Sequence, residues 1–109
     1  MVETGYVVVL ITAGSYEEAR RVADVLVGER KAACVNIVPR VNSFFWWEGK
    51  IEEDEESLLV VKTRAELFAE VVDSVKANHS YEVPEIIALP IVGGNQEYLM
   101  WIGEETSVK

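Results

Sequence analysis

One cysteine, one histidine and three prolines stand among 109 residues, and only 10 basic residues face 19 acidic ones. The single thiol, Cys34, cannot close an intrachain disulfide, which fits a reducing compartment. A formal net charge of −9 without any Lys/Arg cluster repels phosphate, which argues against nucleic acid and anionic membranes as partners. Met1 to Gly5 lacks the basic-then-apolar pattern of a leader. Tyr6 to Ala13 is too short to span a bilayer and runs directly into a helix signal. The expected location is therefore the cytoplasm. No repeat, low-complexity tract or Pro/Gly-rich linker interrupts the chain, so residues 1–109 are expected to form one domain. The catalytic templates Gly-x-Ser-x-Gly, Gly-x-Gly-x-x-Gly, Cys-x-x-Cys and the P-loop are all missing. A Cys34–His79 dyad would lack an orienting third group, so no enzyme is expected.

Half of the residues are hydrophobic, which is enough to build a core. Tyr6 to Ala13 is a β-branched apolar run, the mark of a central strand covered on both sides. Gly14 ends it, and Ser15-Tyr16-Glu17-Glu18 has the form of a capping box. Ala19, Val22, Ala23, Leu26 and Val27 then give one apolar stripe, predicting a helix from about Tyr16 to Glu29. Ala33 to Trp47 and Ile51 to Lys62 read as strands joined by the Glu48-Gly49-Lys50 turn, with Pro39 marking an edge or a bulge. A second capping-box pattern, Thr63 to Glu66, opens a predicted helix from about Arg64 to Asn78. His79 to Pro84 is loop by composition, and Glu85 to Val92 is a fourth strand interrupted by Pro90. Asn95 caps a last helix through Ile102, with Gly103 beyond it and Met100 in its core. The order β-α-β-β-α-β-α predicts an α+β, ferredoxin-like domain with an additional C-terminal helix.

The predicted hairpin is too long for such a domain. Fourteen residues per strand reach roughly 45 Å, against about 17–20 Å for an ordinary strand. Its tip carries Phe44, Phe45, Trp46 and Trp47, and alternation puts two rings on each face. Exposed patches of this kind mark interfaces, so these four residues are expected to bury themselves between subunits. The alternative is an ordinary core at a sheet end.

Three features point to cations. The Cys34 thiolate suits copper or another soft metal, though a free cysteine also serves as a small buried hydrophobe. His79 is a potential imidazole ligand, or else a helix C-terminal residue held by the dipole. Glu52, Glu53, Asp54, Glu55 and Glu56 are either a weak site for hard cations or a solvated edge that discourages aggregation.

Ala32-Ala33-Cys34-Val35-Asn36-Ile37, Phe45-Trp46-Trp47-Glu48-Gly49-Lys50-Ile51, Val61-Lys62-Thr63 and His79-Ser80-Tyr81-Glu82-Val83-Pro84-Glu85-Ile86 resemble, in order and spacing, the blocks of the CutA divalent-cation tolerance family. The likeness covers about Val8 to Ile102. It implies a homotrimer of ferredoxin-like subunits joined through long hairpins, with a PII-like architecture and clefts between subunits. It implies copper or another divalent cation as ligand, with no cofactor required, and Cys34 and His79 as metal-binding residues from one chain or from neighbouring subunits. Ser80 replaces the proline of the family's His-Pro-Tyr motif. The cysteine that some members carry near the end of the first strand is missing from Thr12-Ala13-Gly14-Ser15, which excludes a multi-thiolate site within one subunit. The resemblance also places Trp46, Lys62, Tyr81, Glu82 and Glu85 near the cleft. There they suit a small polar metabolite, or else lock the trimer. The functional expectation is a non-enzymatic trimer binding divalent metal; the alternatives are a PII-like metabolite-binding module and a structural scaffold.

Overall fold

The computed structural model describes residues 3–107, so Met1, one of the two thioethers, lies outside the described residues. Four strands and three helices follow in the order β1 (Tyr6–Ala13), α1 (Tyr16–Gly28), β2 (Cys34–Trp47), β3 (Lys50–Arg64), α2 (Phe68–Ala77), β4 (Ile86–Pro90) and α3 (Gln96–Glu105). The strands form one antiparallel sheet in the order β2-β3-β1-β4. This is the expected α+β architecture.

Side-chain alternation decides which face is filled. Val7, Val9, Ile11 and Ala13 of β1 join Leu59 and Val61 of β3 under Ala19, Val22 and Leu26 of α1 and Val71 and Val75 of α2. The intervening residues Val8, Leu10, Leu58 and Val60 are only part-buried, and Ile87 and Leu89 of β4 are both 49% exposed. The apolar β1 run therefore marks a central strand as expected: α1 and α2 cover one face, while α3 packs only on the Tyr6–Arg64 end of the other and leaves the rest of that face open.

Sequence signals at element ends held where their partners are local. The Ser15 hydroxyl accepts from the Glu18 N–H at 3.1 Å, and the Asn95 side chain accepts from Glu97 N–H at 3.0 Å. Glu48 and Gly49 both have positive φ, as a two-residue hairpin turn requires. Pro39 lies within the register shift between Val38 and Val41, on the edge strand.

Several expected boundaries shift for identifiable reasons. Thr63 does not cap a helix: it ends inside β3, fully buried, and its hydroxyl donates to the Lys31 carbonyl at 2.6 Å. A 3₁₀ turn, Ala65–Leu67, therefore precedes α2, which starts at Phe68 without a side-chain cap. α3 runs past Gly103, where a Cβ would sit 2.8 Å from the Tyr6 hydroxyl, so this glycine makes room for packing rather than ending the helix. Leu99 and Ile102 are the core residues of α3, while Met100 is exposed. β4 is shorter than expected, and Pro90 ends it on the outer edge where no ladder donor is needed.

β1 meets β3 only as far as Ala13 opposite Ser57. Beyond that point β2 and β3 pair with each other alone, down to Trp47 opposite Lys50. Seven residues of each strand thus project as a ribbon about 23 Å long. Phe44, Trp46 and Ile51 share one of its faces and Phe45 and Trp47 the other, with Trp46 72% exposed. A two-stranded ribbon is marginal in water without a surface to pack on.

Candidate functional site

Cys34 begins β2 opposite Lys62, on the sheet face opposite α1 and α2, where α3 packs. Its thiol is part-buried and lies 3.8 Å from the Asn36 side-chain oxygen, which also accepts from the Lys62 ammonium. Tyr98 of α3 completes this group. Burial first, then the charge and hydrogen bonding of Cys34, raise its phenol above the ordinary range. An ammonium beside the thiol disfavours a metal cation there.

His79 follows α2, and its side chain is fully buried. Its Nε2 lies 2.7 Å from the Thr12 carbonyl, which can only accept, so Nε2 carries the proton. Nδ1 accepts from the Tyr81 N–H at 3.1 Å. Both nitrogens are engaged, and no lone pair is left for a metal. Cys34 aligns, through Lys62, with Val8, while His79 meets Thr12 four residues further along β1, about 13 Å away. The structure thus keeps the two expected metal ligands apart within the chain.

A concavity of about 870 Å³ lies between the projecting ribbon and the loop that follows His79. Alternation brings Glu52, Asp54 and Glu56 to the same face of β3, and Glu82 and Glu85 approach from the loop. Phe45, Trp47 and Tyr81 supply its aromatic surface, Phe44 borders it from the opposite ribbon face, and among the described residues no Lys, Arg or His lines it. The Tyr81 hydroxyl donates to Glu56 at 3.0 Å, and its ring lies against His79 with centroids 4.7 Å apart. Burial, then the Glu56 hydrogen bond and charge, and the further charges of Asp54 and Glu18, push the Tyr81 phenol up to about 12.

Of the residues expected at a cleft, Tyr81, Glu82 and Glu85 meet here, joined by Phe44, Phe45 and Trp47. Trp46 points to the other face of the ribbon. Lys62 sits six residues up β3 from Glu56, about 20 Å away. The sequence reading missed Glu18 and Gly14. Glu18 was visible only as the last position of a capping box, yet its carboxylate accepts from Ser80 N–H at 2.8 Å and Gly14 N–H at 3.4 Å. Burial alone would raise its pKa; hydrogen bonds from Ser80, the nearby His79 and the Gly14 N–H outweigh that and lower it. Among the described residues, no three His, Cys, Asp or Glu side chains converge closely enough to chelate an ion, so the groove attracts cations without enclosing one.

Among the described residues, no helix is long and apolar enough to cross a membrane. Residues 7–105 match the family described as CutA1 divalent ion tolerance protein. The divalent-cation tolerance protein CutA of Thermus thermophilus is 56% identical over 99 residues, covering 91% of this chain and 96% of the relative. Its counterpart in Archaeoglobus fulgidus is 57% identical over 96 residues, covering 88% and 93%. The chloroplastic CutA 1 of Oryza sativa is 50% identical over 92% of this chain, which spans only 56% of that longer protein. The crystal structure of CutA1 from Oryza sativa superposes with a TM-score of 0.93 at 47% identity, covering 98% of both chains. The chain belongs to the CutA1 divalent ion tolerance family.

Proposed function

We propose that this chain works as a non-enzymatic homotrimer that binds divalent cations, copper among them, in clefts walled by the carboxylate groove. One observation carries the reading: among the described residues, five carboxylates and no cationic side chain line a groove of about 870 Å³. It sits in a chain whose relatives are named for divalent-cation tolerance. Carboxylate oxygens suit divalent ions, and copper(II) leads the divalent series in affinity at a given oxygen or nitrogen site. Because no chelate is complete in one chain, a neighbouring subunit supplies the remaining donors. The uncovered sheet face and the projecting ribbon support trimer formation, since both leave apolar surface that a second and third copy would bury. The separation of Cys34 from His79 removes the only candidate nucleophile–base pair, in keeping with a binding rather than a catalytic role. A free, part-buried thiol supports a reducing cytoplasm, although the Archaeoglobus relative is described as periplasmic and the rice one as chloroplastic.

Native mass spectrometry and calorimetry with one equivalent of copper(II) per chain test the reading. The expected result is a trimer whose copper affinity falls at least tenfold in the Glu52→Gln/Asp54→Asn double variant and is unchanged in Cys34→Ser. Loss of copper in Cys34→Ser alone would transfer the site to the thiol and overturn the groove assignment.

A second reading rests on Lys62. Its ammonium, held by Asn36 beside Cys34 and Tyr98 on the face opposite α1 and α2, suits a small anionic metabolite in a PII-like intersubunit cleft. Assembly would have to bring it to the Trp46, Tyr81 and Glu85 of another subunit. Lys62→Ala would then abolish thermal stabilisation by such a metabolite while copper affinity survives.

A further inference from the structure

Glu18 is the only charged residue that is buried among the described residues, at 6% exposure. A buried carboxylate is costly unless it is fully hydrogen-bonded. As a local helix cap, Glu18 could satisfy Ser15 or Gly14 and remain wet. Instead it turns inward and joins three segments: Gly14 after β1, the first turn of α1, and the loop after α2. Arg21 lies 3.6 Å from one carboxylate oxygen and His79 Nδ1 lies 3.8 Å from the other. Next along the chain, His79 donates to Thr12 and accepts from the Tyr81 N–H, and Tyr81 reaches across to Glu56 on the ribbon. Gly14 leaves the space that the phenol occupies: a Cβ there would lie 3.1 Å from the Tyr81 hydroxyl. A continuous polar chain therefore runs from the helix side of the sheet to the wall of the groove.

We infer that Glu18 is a positioning residue for the groove: it roots the 79–85 loop, so that Tyr81 is held on Glu56 and occupies an oxygen that a cation would otherwise use. The inference deepens the cation-binding reading and rests on it for the identity of the ligand, but its structural half can be measured without any cation. A cation that takes Glu56 must displace the Tyr81 hydroxyl, and the Glu18 root sets how firmly that hydroxyl stays.

His79 is the only histidine, so its ring nitrogens give an isolated signal in ¹⁵N NMR. In the unaltered protein the ring should show the single Nε2–H tautomer, with slow exchange of the Ser80 and Tyr81 amides. In Glu18→Ala both amides should exchange many-fold faster and the tautomers should mix. Glu18→Gln keeps one oxygen for Ser80 and should lie between the two, which preserves the test if Glu18→Ala fails to fold. With copper(II), Glu18→Ala, Gly14→Ala and Tyr81→Phe should each bind several-fold more tightly. The Glu18→Ala/Tyr81→Phe double variant should gain no more than either single one, because both act through the same contact. A folded Glu18→Ala or Glu18→Gln with unchanged His79 signals and amide exchange would overturn the positioning role. Altered signals with unchanged copper affinity would keep the root and overturn the cation reading at Glu56.

Discussion

Placing a charge on the uncovered sheet face should take the assembly apart without unfolding its subunits. Leu89 of β4 lies opposite Val8 of β1 on that face and forms no part of the helix-covered core. Full burial of a leucine contributes about 1.5–3 kcal/mol, so a residue left 49% exposed can gain roughly 1 kcal/mol more when a partner covers it. Ile87, with the same exposure, gains a similar amount, and three copies of the pair contribute on the order of 5 kcal/mol to a trimer. Leu89→Asp removes half of that and adds a buried, unpaired carboxylate in each subunit, at a penalty of several kcal/mol per ion. Summed over three subunits, the loss is comparable to the roughly 16 kcal/mol that holds a trimer together at micromolar concentration, about 8 kcal/mol for each of two association steps. Light scattering after size exclusion should give three times the 12.2 kDa chain mass for the unaltered protein and a single chain mass for Leu89→Asp, with matching circular dichroism. Val27→Asp, a comparable change on the helix side, should leave the trimer mass unaltered. A Leu89→Asp variant at trimer mass, or an unaltered protein at 12.2 kDa, would refute the reasoning from the open face.

Other outcomes follow from single residues. Leu59 is fully buried at the centre of the sheet, so Leu59→Ala should lower unfolding free energy in urea by about 2–5 kcal/mol. Glu18 has a lowered folded-state pKa, so its contribution to stability is complete above the ordinary value of 4.5 and disappears as pH falls through the lower folded value. Acid unfolding followed by circular dichroism should therefore be less steep below pH 4.5 in Glu18→Gln. Tyr81 is the reverse case: its phenol is raised from 10.0 to about 12, so its contribution is complete below pH 10 and lost as pH rises through about 12. Tyr81→Phe should flatten the decline in melting temperature over that alkaline window.

Much of the fold was legible because its signals are local. Periodicity located every strand and helix, Ser15 and Asn95 cap the helices they precede, and Pro39 marks the bulge. The errors share one physical origin. Thr63-Arg64-Ala65-Glu66 has the spacing of a capping box, yet the Thr63 hydroxyl is taken by Lys31, 32 positions away, and the strand keeps Thr63. Gly103 has the composition of a helix stop, yet the Tyr6 phenol fills the space beside it and the helix continues. A short motif specifies which bonds a residue can make, and tertiary structure decides which of them it does make. The same holds at the site. Alternation splits the five-carboxylate run three to two between the faces, and only the loop bearing Tyr81, Glu82 and Glu85 turns one of those faces into a groove.

That rule also separates structural polar groups from functional ones. His79 and Thr63 are conspicuous in sequence and Glu18 is not, yet each is buried with its partners inside the chain. Glu52, Asp54, Glu82 and Glu85 look like ordinary surface charge, yet they stand around a concavity lined, among the described residues, by no basic side chain. Like charges gathered there repel one another and weaken the isolated chain. On the proposed reading, further copies of the chain would cover the apolar surface and a cation would compensate the groove. Tyr81 belongs to both sets: its backbone is anchored through His79 and Glu18, and its hydroxyl reaches into the groove. It is the residue through which a cation at the ribbon would be felt at the N-terminus of α1.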